Sequence, residues 1–162
     1  MIIKAELEDI STIQDLAKRS WEVAYADILK QEQIDYMLDL MYSEEALTKH
    51  FENPNYHYYL IQEDDQFLGF VGFEFHLEPE TTKLHRIYFL KEAQGKGFGK
   101  KALKFVINET KKIDNKRVIL TVNKNNSAKK FYESQGFKIY DEAISDIGNG
   151  YVMDDFLMEF IL

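Results

Sequence analysis

The segment that most limits what this chain can fold into is Gln94-Gly95-Lys96-Gly97-Phe98-Gly99-Lys100. Its three glycines stand between a strand-like stretch, Thr82 to Leu90, and a helix-like one with Phe98, Ala102, Leu103, Val106 and Ile107 on one face. Closely spaced glycines let a backbone turn sharply and aim its N–H groups outward. Those donors, joined to the positive end of the helix they open, make a cradle for phosphate that needs no side-chain charge. Lys96, Lys100 and Lys101 add attraction for further phosphate.

Other glycine loops do not fit. A dinucleotide fingerprint of spacing G-x-G-x-x-G needs glycine at 100 or 102, which are Lys and Ala. A P-loop ending at Gly99-Lys100 needs glycine at 94 and Ser or Thr at 101, where the chain has Gln and Lys.

The rest of the chain reads as one unit, 1–162, without repeat, low-complexity tract or Pro/Gly-rich linker. Ile2 to Ala5 is a short strand. Apolar residues recur at three- and four-residue spacing from Asp9 to Ala24, and shorter helical patterns cover 31–41 and 43–52 until Asn53-Pro54-Asn55 stops them. Tyr56–Gln62 and Phe67–Phe75 read as a hairpin across Glu-Asp-Asp-Gln. Arg117–Val122 is a strand, Ser127–Gln135 a helix, and Gly136–Glu142 and Tyr151–Phe160 are strands. This order predicts a mixed α/β layered domain, unlike the regular alternation of a doubly wound fold.

Composition narrows the chemistry. With no cysteine among 162 residues, thiolate metal sites and cysteine nucleophiles are excluded, and no carboxylate or histidine cluster has metal-ligand spacing, so no metal is expected. Net charge is −8, yet residues 91–130 hold twelve Lys/Arg against three acids. A basic segment in an acidic chain fits an anionic ligand at one place and cationic partners elsewhere, while the acidic remainder disfavours nucleic acid. The longest apolar and glycine run, Phe67 to Phe73, is far short of a membrane span, and the start lacks a signal-peptide pattern. A cytoplasmic protein with no membrane partner is the default expectation.

A second block follows the glycine loop by about thirty residues. After the strand Val118-Ile-Leu-Thr-Val-Asn123 comes Asn125-Asn-Ser-Ala128-Lys-Lys-Phe131-Tyr132-Glu-Ser-Gln-Gly136-Phe137. Together, Gln94-x-x-Gly97-x-Gly99 and this N-x-x-A-x-x-x-Y-x-x-x-G-F segment resemble the pyrophosphate loop and the following motif of the GNAT acetyltransferases. The close resemblance covers residues 67–140. Trp21 to Tyr25 and the ending Asp155-Phe-Leu-Met158 look most like its spermidine/spermine N-acetyltransferase subgroup.

The resemblance implies a GNAT-like mixed sheet of about seven strands flanked by helices, with acetyl-CoA as cosubstrate. It implies that the backbone of Ile87, Tyr88 and Phe89 pairs with the pantetheine arm. Gln94 and residues Gly95, Lys96, Gly97, Phe98, Gly99 and Lys100 hold the pyrophosphate, and Asn125 hydrogen-bonds the cofactor. A neutral primary amine attacks the thioester directly, an N–H near Phe89 stabilises the oxyanion, and Tyr132 protonates the departing thiolate. Where many relatives carry a glutamate base this chain has Lys83, which leaves His85, His76, Glu74, Glu78 or water as alternatives. Trp21 and Tyr25, one helical turn apart, are expected to line the pocket of a small amine or polyamine. A protein N-terminus or lysine is the rival acceptor, and a non-catalytic acyl-CoA-binding module is the rival class. The aromatic Tyr151–Leu162 segment makes a homodimer the expected assembly.

Overall fold

Helix α1 (Ile10–Ala24) buries Ile13, Leu16, Ala17, Ser20 and Trp21, a single stripe at three- and four-residue spacing. Helices α2 (Gln31–Tyr42) and α3 (Glu44–Glu52) follow. The side chain of Ser43 caps α3 by accepting the Ala46 amide at 3.1 Å. All 162 residues are described by the computed structural model.

Strands β1 (Ile2–Lys4), β2 (Tyr56–Glu63), β3 (Gln66–Glu78), β4 (Thr81–Phe89), β5 (Arg117–Asn123), β6 (Lys138–Gly148) and β7 (Tyr151–Ile161) form one sheet in the order β1-β2-β3-β4-β5-β7-β6. Helix α4 (Phe98–Lys112) joins β4 to β5, the one parallel pair, and α5 (Ala128–Ser134) follows β5. Apart from the exposed edge strand β6, the sheet has a core on each face. One core, around Trp21, Tyr58 and Phe70, lies under α1–α3; the other, around Phe73, Leu103, Val106 and Phe137, lies under α4 and α5. This is the mixed seven-stranded sheet expected from the sequence.

Three details differ from the sequence reading. The β2–β3 turn is tighter than four residues, because Asp64 and Asp65 both take positive φ, 50° and 61°, and Glu63 already pairs with Gln66. Strand β3 continues to Glu78, past Phe75. Strand β6 continues past Glu142 to Gly148, where Ala143 to Gly148 pair with β7 and the Gly148-Asn149-Gly150 turn takes positive φ throughout. Neither extension carries an apolar alternation of its own; cross-strand pairing supplies the order.

Trp21 is 1% exposed and packs within 4.8 to 5.8 Å of the rings of Tyr25, Tyr42 and Tyr88. Trp21→Ala is expected to destabilise the fold by about 3–5 kcal/mol. That corresponds to a melting midpoint roughly 6–20 °C lower. A midpoint within 2 °C of the parent would mean the site collapses without loss.

Candidate active site

The site begins where two strands part. β4 pairs with β5 only at Thr81–Lys83 against Arg117–Ile119, and beyond that the strands diverge. The break coincides with a bulge. Leu84 faces Phe73 and Arg86 faces Gly72, so His85 is an extra residue in β4. The bond from the Leu90 amide to the Leu68 carbonyl then sets the phase of the β3–β4 ladder. By the alternation of an antiparallel pair, the backbones of Arg86 and Tyr88 turn to β3, and those of Ile87 and Phe89 turn to the gap. The expected pairing edge is therefore Ile87 and Phe89, and Tyr88 contributes its side chain instead. Gly69 permits this arrangement: a Cβ there would overlap the Phe89 ring and the Tyr88 carbonyl.

The open edge leads directly into the glycine loop. Gly95 and Gly97 take φ of 78° and 79°, a region that disfavours side chains, and nothing lies within 4 Å of where their Cβ atoms would be. Gly97 is the N-cap of α4 and offers no side-chain cap. The helix ladder starts with the Lys101 amide on the Gly97 carbonyl, so the amides of Phe98, Gly99 and Lys100 have no helical acceptor. Gly99 lies against α5, where a Cβ would meet Phe131 Cζ at 3.2 Å.

Fork and loop share one cavity of about 590 Å³. Its walls are β4 from Leu84 to Phe89, the loop residues Gln94, Gly95 and Gly97 to Lys100, and β5 from Leu120 to Val122. Val23, Ala24 and Tyr25 close it from α1, and Phe131 and Tyr132 from α5. Tyr132 is buried, its ring 5.6 Å from Phe131 and 5.9 Å from Phe137. Burial pushes its hydroxyl well above the usual phenol range, and the nearby Tyr25 adds to that. The Tyr25 and Tyr88 hydroxyls lie 3.0 Å apart, and burial raises both. The cavity thus holds protonated phenols at neutral pH, which donate hydrogen bonds and carry no charge.

Under α1–α3, behind β4, lies a polar network. The buried Arg86 guanidinium sits 4.2 Å from the Tyr42 ring centre, and its Nη1 donates to the Tyr58 hydroxyl at 2.7 Å. His50 Nδ1 shares that hydroxyl at 2.8 Å. His85 Nε2 meets Glu74 Oε1 at 2.9 Å, and Asn53 Nδ2 holds Glu74 Oε2 at 3.2 Å. The Tyr56 ring is stacked between His50 at 4.2 Å and His85 at 4.9 Å. Burial lowers the imidazoles of both histidines, Glu74 opposing it at His85, so both rings are neutral at pH 7. Of the base candidates, His85 alone lines the cavity. His76 is exposed on β3, and Glu78, also exposed, lies 3.5 Å from Arg117.

Most of the predicted residues meet here. Ile87, Tyr88, Phe89, Gln94, Gly95, Gly97, Phe98, Gly99, Lys100, Tyr25 and Tyr132 all line the cavity. Three do not. Trp21 is core, one turn deeper than Tyr25, which sits at the end of α1 where its hydroxyl reaches the cavity wall. Lys96 is exposed at the outside of the loop. Asn125 is exposed, its amide tied to Asn123 Oδ1 at 2.9 Å, and the next residues, Asn126 and Ser127, line the cavity in its place. No group of three His, Cys, Asp or Glu is placed to hold a metal, and no helix is long and apolar enough to cross a membrane.

A family model described as "Acetyltransferase (GNAT) family" matches residues 10–137, which extends the likeness through α1–α3. The spermidine N(1)-acetyltransferase of Thermoplasma acidophilum is 30% identical over 154 residues, covering 90% of this chain and 92% of that protein. An uncharacterised N-acetyltransferase of Lactobacillus delbrueckii subsp. lactis is 21% identical, covering 99% and 94%. Among solved structures, PaiA N-acetyltransferase from Thermoplasma acidophilum, in complex with coenzyme A, superposes with a TM-score of 0.86 at 28% identity, covering 100% of this chain and 98% of that one.

Proposed function

The chain belongs to the GNAT acetyltransferase family, and from that membership we propose that it moves an acetyl group from acetyl-CoA to the primary amine of a small molecule, a polyamine being the first to try. The observation that carries this reading is the continuity of the cavity. An unpaired strand edge at Ile87 and Phe89 runs into three free amides at the start of α4. An extended amide-bearing arm ending in a pyrophosphate matches that sequence of donors and acceptors. The spermidine N(1)-acetyltransferase and the coenzyme A complex among the relatives support both halves of it.

The reaction then needs little from side chains. Residues 1–162 act as one domain whose cavity brings thioester and amine together, which removes most of the orientational cost. The amine nitrogen attacks the thioester carbonyl, and the Phe89 amide, free at the fork, stabilises the oxyanion. The carbon–sulfur bond breaks as Tyr132 gives its phenolic proton to the departing sulfur, and the proton shed by the attacking nitrogen, carried by water, restores the phenol. The Lys100 and Lys101 ammoniums add charge for the cofactor phosphates.

The test is thermal unfolding with acetyl-CoA, paired with CoA release on mixing with spermidine, spermine and putrescine. Acetyl-CoA at a hundred times its Kd should add about 2.7 kcal/mol of stability, a shift of several degrees. No shift at millimolar acetyl-CoA would sink the cofactor reading. A shift without turnover on any amine would leave a CoA-binding module.

A further inference from the structure

The bulge in β4 does more than open the fork. Leu84 and Ile87 pack in the core under α4 and α5, so His85 and Arg86 between them turn together to the α1–α3 side. Arg86 goes inward, to Tyr42 and Tyr58. His85 stays at the cavity wall, its side chain 23% exposed. Two contacts hold the ring there: it stacks on Tyr56 with centres 4.9 Å apart, and its Nε2 meets Glu74 Oε1 at 2.9 Å. Asn53 Nδ2 in turn fixes the other Glu74 oxygen at 3.2 Å.

These contacts decide which ring nitrogen carries hydrogen. A carboxylate only accepts, so Nε2 bears the N–H and Nδ1 keeps its lone pair. Nδ1 has no protein partner and is not sealed from solvent. The charged and titratable groups around the ring are Glu74 from β3, Tyr56 from β2, His50 from α3, and Lys83 and Arg86 from β4 itself. Burial, with Lys83 and Arg86, lowers the imidazole to about 4, and Glu74 opposes them. The ring is therefore free to take a proton at neutral pH, with a carboxylate in contact to balance the charge. Nothing else on the cavity wall can do this. No Asp or Glu lines it, and its phenols, Tyr25, Tyr88 and Tyr132, are held protonated by burial.

We propose that His85 is the proton acceptor that frees the acceptor amine: the incoming ammonium gives one proton through cavity water to Nδ1, and the neutral nitrogen then attacks the thioester. The inference rests on the acetyl-transfer reading. Four residues of strand separate His85 from Phe89, so the proton passes along water and not by direct contact. His85 hands that first proton to solvent, while the second, shed by the nitrogen on attack, restores Tyr132. Each turnover forms the amide and the CoA thiol and releases one proton. Glu74 is a positioning residue, fixing the ring and facing the imidazolium once it forms.

The test is the pH dependence of kcat at saturating spermidine and acetyl-CoA, read as CoA release, for the parent and for His85→Gln. Glutamine can still donate to Glu74 but takes no proton. The parent should keep a level kcat between about pH 6 and 8, above the range in which its imidazole fills. The variant should lose roughly 100-fold at pH 7. It should then regain about tenfold per pH unit toward pH 9, because only amine already neutral in solution reacts. The acetyl-CoA thermal shift should be unchanged. His85→Phe, which keeps the stack on Tyr56, is read the same way if the glutamine variant does not fold. Glu74→Gln should lower kcat without tilting the profile. A loss that is equal at every pH overturns the inference, because it marks a structural role. Matching rates and profiles in parent and variant also overturn it and leave acetyl transfer standing. A parent that releases no CoA with any amine sinks both.

Discussion

Tyr132→Phe is expected to lower kcat by roughly 100-fold or more while acetyl-CoA still raises the melting midpoint as in the parent. The reason lies in what the substitution removes. The Tyr132 ring packs against Phe131 and Phe137, and a phenylalanine ring fills the same volume. No side chain hydrogen-bonds the hydroxyl, so its loss breaks nothing internal. Burial keeps the phenol protonated, which suits a donor and rules out a base at neutral pH. With the proton source gone, the CoA thiolate leaves unprotonated and the collapse of the intermediate slows. Steady-state CoA release against acetyl-CoA and amine concentration separates the effects: kcat should fall and the KM for acetyl-CoA should stay. A variant within threefold of the parent kcat would return Tyr132 to a packing role.

The second large effect is expected at the loop. Replacing Gly97 and Gly99 together by valine should abolish the acetyl-CoA thermal shift and weaken binding at least 100-fold. At Gly97 there is room for a side chain, so the penalty is in the backbone. A β-branched residue at φ 79° is strained by about 1–3 kcal/mol and tends to rotate the α4 N-terminus away. At Gly99 the added carbons press on Phe131, 3.2 Å away. Both changes also put methyl groups where a pyrophosphate must approach the amides of Phe98 to Lys100. Melting without ligand checks that the double variant folds. A retained shift would show that those amides are not the cofactor's donors.

The glycine loop could be read from the chain because its chemistry is local: strand, turn and helix start within a few residues of one another. The two cores were legible for the same reason, as stripes along α1 and α4. The fork was not. It depends on His85 being the odd residue between two cross-strand pairs, and only the partner strand β3 reveals that. Trp21 and Tyr25 share a helical face, but spacing cannot tell which of them is one turn deeper. Asn125 and Asn126 are equally polar neighbours, and the direction of the turn after β5 decides which one lines the cavity.

Strand β7 comes after β6 in the chain but lies between β5 and β6 in the sheet. During synthesis β5 therefore emerges with its outer edge bare, and β6 cannot cover it. At roughly 5–20 residues per second, that edge waits several seconds for β7. An unpaired edge is a template for wrong pairing, so the half-made chain is exposed to misassembly on the side where the wall of the fork will form.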